Sequence, residues 1–312
     1  MLHQLGLRLI YACLLILAVS IAGFALLRLM PGDFAEVLLM SQMDGTLPDA
    51  ETVARFSAEN GFDAPLPVQY LDWLWRVAQG DLGTSFVTGD PVLEDVTLRL
   101  GKSLTLALLA LGTGLVISLP VGALCAFYPG SLLDRTFATL AVVGMSIPNF
   151  WYALMLALLF SLTLGWLPST GHGTWAHAVL PTLVIGTSIS GVLARYVRGC
   201  LLEELSQPYV RTARSKGLSD RRVLLFHAAP NVFPAVLTLT GLQFARVFDG
   251  MIIVETLFAW PGIGRLLVDS LLSRDYPLIQ ACFLVVAASY VLINLVVDYA
   301  ITLYDPRVRG VV

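Results

Sequence analysis

Charge is what this chain has least of. Only 13% of its 312 residues are Asp, Glu, Lys or Arg, against 57% hydrophobic, and a water-soluble fold so poor in charge would expose large apolar patches. Soluble globular classes are thereby excluded. Cysteine is scarce too: Cys13, Cys125, Cys200 and Cys282 each sit in or at the end of an apolar run. There is no C-x-x-C pair, and no cysteine in the long polar segment where oxidation would occur, so the four read as small packing residues. Internal repeats and low-complexity tracts are absent. A nucleotide cradle is absent as well. Gly101-Lys102-Ser103 ends like a phosphate-binding loop, but Val96 stands where the upstream glycine is required.

What is present is a series of apolar runs of membrane-spanning length. They predict an all-α polytopic membrane protein with six transmembrane helices, over residues 9–30, 103–128, 136–164, 178–197, 226–256 and 278–304. Several exceed the roughly 20 residues a bilayer needs, so tilt or protrusion is expected. The first run reads as a retained anchor: it is too long for a signal peptide and no small-x-small site follows it.

Orientation follows from where Lys and Arg fall. With the N-terminus inside, cytoplasmic segments hold Arg8, Arg135, Arg195, Arg198, Arg307, Arg309 and a basic cluster described below, whereas residues 31–98 hold twelve acids but only Arg55 and Arg76. Both termini are thus expected in the cytoplasm, with the acidic segment outside. The chain then divides into an N-terminal span (1–30), an external segment with short helices (31–102) and a five-helix core (103–312).

Within the external segment a helix is expected over 49–60, stopped by Gly61. Another over 67–78 carries Tyr70, Leu71, Trp73, Leu74 and Trp75 as interfacial anchors. The segment reads as a lid on the bundle's outer mouth or as a contact surface for an external partner. Pro120, Pro148, Pro181, Pro230 and Pro234 fall in the spans, where each removes a hydrogen bond and favours a kink. Gly112, Gly114, Gly122, Gly186 and Gly191 suit close helix approach. Near the end of span five, Glu255 is expected to cap the Phe258-Ala259-Trp260-Pro261-Gly262 turn, with Trp260 at headgroup depth.

The basic cluster is the stretch 209–230, YVRTARSKGLSDRRVLLFHAAP, holding Arg211, Arg214, Lys216, Arg221 and Arg222 about one glycine, Gly217. Ser206 can cap a short helix with Pro208 in its first turn. Gly217 supplies a stop, and Ser219 with Asp220 can start a second helix. The expected product, over 206–225, is a helix–turn–helix. It is either a knob for a partner's socket or a basic loop lying on anionic lipid; the punctuation about Gly217 favours the knob.

Here the chain resembles the binding-protein-dependent ABC permeases, whose motif is a Glu-Ala-Ala triplet, a spaced glycine and an Ile-x-Leu-Pro ending. Arg211-Thr212-Ala213 occupies the triplet, Gly217 the glycine and His227-Ala228-Ala229-Pro230 the ending. The glutamate is missing and His227 replaces the isoleucine, so the match rests on Ala213, Gly217, Pro230 and their spacing. The rest of the chain resembles the dipeptide/oligopeptide/nickel branch from end to end. Its carriers are the runs LMPGD at 29–33, PLPVQY at 65–70, GDLGTS at 80–85, SIPNFW at 146–151, GWLP at 165–168, ETLFAWPG at 255–262, DYP at 275–277 and DPR at 305–307.

The resemblance implies a type I importer permease fold, a second similar permease, two cytoplasmic ATPases gripping the knob, and a periplasmic or lipid-anchored binding protein. No nucleic acid is implied. ATP and magnesium would be bound by the ATPases, leaving this chain without a cofactor, a catalytic residue or a metal of its own. The residues it assigns to coupling are Tyr209, Arg211, Thr212, Ala213, Gly217 and Pro230.

Ionisable residues inside spans are expensive and point to function. Arg246 and Asp249 lie three apart on one helical face and can pair. Two readings stay open: an ion pair at the subunit interface, or a lining of the substrate path together with Ser146 and Asn149. Asn294 and Asp298 read as ties between helix ends. His172 and His177 flank a short loop without a third ligand. That loop and Asn149-Phe150-Trp151 lean towards a nickel-type importer over a di- or oligopeptide one. A stand-alone secondary transporter would need midplane carboxylates and an inverted repeat; Asp249 is the single candidate and no repeat is seen.

Overall fold

The computed structural model describes residues 2–28, 34–42 and 47–304; the motifs at 29–33 and 305–307 lie outside them. Thirteen α-helices succeed one another among these residues: α1 Leu2–Arg28, α2 Phe34–Gln42, α3 Ala50–Glu59, α4 Leu66–Ala78, α5 Val92–Phe127, α6 Leu132–Ser146, α7 Asn149–Ala157, α8 Trp175–Leu205, α9 Pro208–Ser215, α10 Asp220–Val223, α11 Ala229–Leu257, α12 Ile263–Ser273 and α13 Tyr276–Tyr304. Short π-helical turns extend α7 (Leu158–Thr163) and join α10 to α11 (Leu224–Ala228). Among the described residues the β pairing is a lone bridge between Thr84 and Pro91.

Five of the helical stretches are long and apolar enough to cross a membrane, and a sixth crossing requires α6 and α7 together. The third expected span is not continuous. It breaks at Ile147-Pro148 with a bend of 103°. Ile147 is extended (ψ 125°), the conformation a following proline favours, and Pro148 precedes the first residue of α7. Pro120, Pro181 and Pro234, by contrast, lie inside continuous helices.

The chain forms two compact units, one of residues 1–103 and 261–291, the other of 104–260 and 292–312. In the first, Leu38, Val92, Val96, Ile263, Ile279 and Cys282 share an apolar core. Two runs quoted above meet there. Asp275, almost fully buried, accepts a short hydrogen bond from the Ser85 hydroxyl and lies 3.5 Å from the Leu278 amide, so one carboxylate anchors the 83–91 loop and caps α13. Ser103 likewise accepts from the first amide of α12, Ile263, at 2.8 Å. The aromatic helix α4 packs on α1: Tyr70 meets Phe24 edge-on at 5.4 Å and bonds Ser20 at 2.8 Å, while Trp75 stays exposed.

In the second unit α8 runs against α5 at glycine-lined crossings. A Cβ on Gly114 would sit 2.7 Å from Ile189, one on Gly122 2.7 Å from the Ala194 carbonyl, and one on Gly186 2.9 Å from the Ala110 carbonyl. Gly112 has open space, and Gly191 makes ordinary contact with Ala141. The tightest approach, unmarked in the sequence reading, is Gly241 of α11 against Val297 of α13. The turn after α11 differs from expectation. Trp260 is 8% exposed and belongs to the protein core, so it is no headgroup anchor; its amide donates to the Glu255 carbonyl at 2.8 Å. Ala259 there is left-handed at φ 53°.

Candidate functional site

The knob is built by local chemistry. Ser206 is not its cap: α8 runs through Leu205, and the Ser206 hydroxyl is spent on the Glu203 carbonyl at 2.7 Å. Gln207 takes the position before α9, with Pro208 supplying the first turn. At the other end Gly217 has φ 82°, the left-handed geometry glycine adopts without steric cost. Its amide bonds Arg214 O at 2.9 Å, and the Leu218 amide bonds Ala213 O at 3.3 Å. This is the Schellman pattern, accompanied by its usual apolar contact: Val210, Ala213 and Val223 pack with Leu205 and Leu218.

The spacing between Ala213 and Gly217 thus has a physical cause. Ala213 is 7% exposed, where a small residue lets the two short helices close on one another. Arg211 and Thr212 face outward, and Thr212 returns its hydroxyl to Pro208 O at 3.3 Å. Arg214 is drawn inward along the surface to Asp220 at 2.7 Å, closing α9 onto α10.

A polar cluster ties the knob to the long helices. Tyr209 donates to Glu204 of α8 at 2.7 Å and lies 3.4 Å from the His227 carbonyl, while Asn231 of α11 donates to the same Glu204 oxygen at 2.8 Å. Burial, and then this bond to Glu204, raise the Tyr209 phenol above its ordinary pKa, so it stays a donor at neutral pH. Pro230 sits in the first turn of α11, where its missing amide costs little; its neighbour Asn231 makes the contact. Glu204 and Asn231 were not among the residues read from sequence. Their polarity at the ends of two apolar runs was the available signal.

The structure brings Asn149 to α11: its side-chain nitrogen would be 3.3 Å from a Cβ on Gly250, one turn beyond Arg246. Arg246 is exposed. The side chains of Asp249 and Asp298 lie outside the described residues, and with them the Arg246–Asp249 pairing. Ser146 ends α6 and bonds its own helix at Val142 O, 3.0 Å away. His177 bonds Thr174 at 2.8 Å.

One buried ion pair was missed altogether. Asp134 receives Arg198 in two bonds of 2.6 and 2.7 Å and the Gly130 amide at 2.9 Å. Ser131 in turn accepts from the Asp134 amide at 3.2 Å, so the serine caps α6 while the acid clamps α8. Arg198, counted above only as a cytoplasmic charge, is therefore a bolt between α6 and α8.

A bundle with five or six crossings, a broken third span and a rigid basic knob defines an importer-type permease. Solved relatives have the same fold: two inward-facing crystal forms of the MetNI methionine ABC transporter align with TM-scores of 0.58 and 0.59 at 18% and 16% identity. They cover 67% and 68% of this chain and 96% of theirs. The chain belongs to the family described as binding-protein-dependent transport system inner membrane component, matched over residues 118–310, with the matching N-terminal model over 1–107.

Its relatives include a glutathione transport system permease protein of Salmonella choleraesuis, 39% identical over 294 residues, and a putative peptide transport system permease protein of Brucella abortus, 40% identical over 301. Each alignment covers 94% of both chains. The protein is accordingly the permease subunit of an ABC importer, multi-pass in the bacterial inner membrane, working with ATPase and substrate-binding partners.

Proposed function

We propose that this chain forms half of a path for peptides or peptide-like solutes, beside a second permease of the same kind. Two cytoplasmic ATPases would hold the knobs, and an external binding protein would deliver the solute. In this reading both termini face the cytoplasm and the chain is not itself catalytic; ATP and magnesium belong to the ATPases. The relatives named for peptides and glutathione favour this cargo over the nickel lean of residues 149–151 and 167–177.

The observation that carries the mechanism is the clamp of Tyr209 and Asn231 on Glu204. It makes the knob continuous with both α8 and α11, so a displacement of the knob by an ATPase is delivered to two long helices at once. Asn149, seated against α11 at Gly250, carries that motion to the broken third span. Ser146, Asn149, Arg246 and Asp249 then belong to the segment whose exposure to the path changes. Gly217 serves as the joint that holds the knob's angle.

The test is reconstitution. With both ATPases, the second permease and the binding protein, liposomes should take up labelled tripeptide only when ATP is present. Gly217→Glu should leave membrane insertion intact while separating ATP hydrolysis from uptake, because a side chain at φ 82° forces the turn open. Uptake by this chain without any ATPase would sink the reading, and normal coupling in the Gly217 variant would remove the joint.

A further inference from the structure

The fold accounts for two of the three flanks of α4. At about 100° per residue, Tyr70 and Trp73 share the first, which faces α1. Tyr70 stands edge-on to Phe24 and bonds Ser20, and Trp73 lies 6.4 Å from the same Phe24 ring. Asp72 and Arg76 share the second; they pair at 3.7 Å, and both line a cavity of about 530 Å³. The third flank is apolar and open. Val68, Leu71 and Trp75, spaced i, i+3 and i+7, are 53%, 62% and 68% exposed, and Ala78 extends the stripe. These four fall within an arc of about 80° at helical pitch. The indole nitrogen of Trp75 is the one polar atom among their side chains.

Helix α1 sets the level at which this flank lies. Its apolar stretch runs Ile10–Arg28. Ser20 and Phe24 stand eight and four residues before the end of that stretch. At 1.5 Å per residue, α4 is held roughly 6–12 Å inside the end of a membrane-crossing helix, a level that a hydrocarbon core about 30 Å thick reaches. The side of α1 next to this contact is itself apolar and open, since Leu14, Leu17 and Ile21 are all exposed there. The third flank of α4 therefore continues the outer surface of a crossing helix.

We propose that α4 is seated in the bilayer, with Val68, Leu71 and Trp75 against the acyl chains of one leaflet. That leaflet is the one at the C-terminal end of α1, the outer one in the orientation proposed above. Trp75 has the amphipathic ring that favours the boundary between headgroups and chains. Asp72 and Arg76 stay on a flank turned from the chains, as in helices that lie in a membrane interface. A protein partner fits this surface less well. Protein interfaces carry about one hydrogen bond per 100–200 Å², and this flank offers one donor and no acceptor. Lipid then holds α4 onto α1 whichever solute is carried, so the external segment rests partly on the membrane itself.

The test places a photoreactive benzophenone amino acid at one position at a time in the complete importer, assembled in bacterial membranes. Leu71 and Trp75 are exposed, so their replacement leaves the packing of α4 on α1 intact. Each should yield a phospholipid adduct by mass spectrometry, as should Leu14 of α1. Asp72 should yield at least about fivefold less, because its flank turns from the chains. A second measurement needs no bulky probe. In nanodiscs of lipid brominated along the acyl chains, Trp75→Phe should lower the quenchable share of tryptophan emission.

Cross-links from Leu71 and Trp75 to the second permease or to the binding protein, in place of lipid, would overturn the proposal and assign the flank to that protein. Lipid adducts at Leu14 alone would overturn it too, as would equal adducts at Asp72. An unchanged or larger quenchable share in Trp75→Phe would place the indole outside the chains and sink the idea.

Discussion

Two arginine–aspartate pairs of nearly equal length do opposite things here. Arg214–Asp220 on the knob and Arg198–Asp134 between α6 and α8 measure 2.7 and 2.6 Å. The first pair is 49% and 58% exposed, the second 34% and 6%. Water already solvates the knob pair, so its bond replaces interactions that were available anyway and is worth about 0–1 kcal/mol. Asp134 has little water to return to, and its three bonds are its solvation. Length alone ranks these pairs as equals; burial and the number of satisfied lone pairs separate them. The knob is accordingly held by its Schellman turn and small apolar contact, with the ion pair a trim, whereas the α6–α8 junction depends on its ion pair.

The largest effect should come from Asp134→Ala. It strands Arg198 and the Gly130 amide together and should lower stability by roughly 3 kcal/mol, seen as a lower thermal transition of the purified chain, with Asp134→Asn intermediate. A variant as stable as the parent would erase the contrast between the pairs. Asn231→Ala comes next: it removes one of two donors to Glu204 and should cost about 1–2 kcal/mol at the junction of knob and α11. Transport should fall more than ATP hydrolysis in that variant, and equal losses of both would mean the clamp only stabilises.

Ala259→Gly should raise stability by about 1 kcal/mol, since φ 53° strains a residue bearing a Cβ. It reports on the turn after α11 without touching either pair. Asp220→Ala should be the mildest, within about 1 kcal/mol and smaller still in high salt, because exposed pairs are screened. A cost near that of Asp134→Ala would show the knob pair to be structural after all.

Much of this molecule was legible from its sequence. Helix α4 runs Leu66–Ala78 against an expectation of 67–78, and α3 stops beside Gly61 as its φ of 69° requires. These signals are local: a proline at a first turn, a glycine past a last one, an apolar period between. Among the prolines the sequence was blind. Pro148 breaks a span and Pro181 does not, although both are prolines within apolar runs. Pro181 is itself buried in α8, whereas Pro148 follows the exposed end of α6. Ser206 misled as well. A serine shortly before a proline is a good cap, but α8 ran past the expected end of its span at residue 197 to Leu205, and the Ser206 hydroxyl went to that helix.

By itself, then, the sequence determined the class, the number of apolar runs, the short helices and the knob's turn at Gly217. Each depends on residues within a few positions of one another, where backbone geometry and periodicity decide. Only the tertiary structure decided that Arg198 is a bolt and not a surface charge, that Trp260 is core, that Glu204 collects Tyr209 and Asn231, and that Tyr70 and Trp73 of α4 meet Phe24 of α1. Those outcomes hang on which residues, distant in the chain, are brought together away from water, and a charge or an amide carries no mark of that in the sequence.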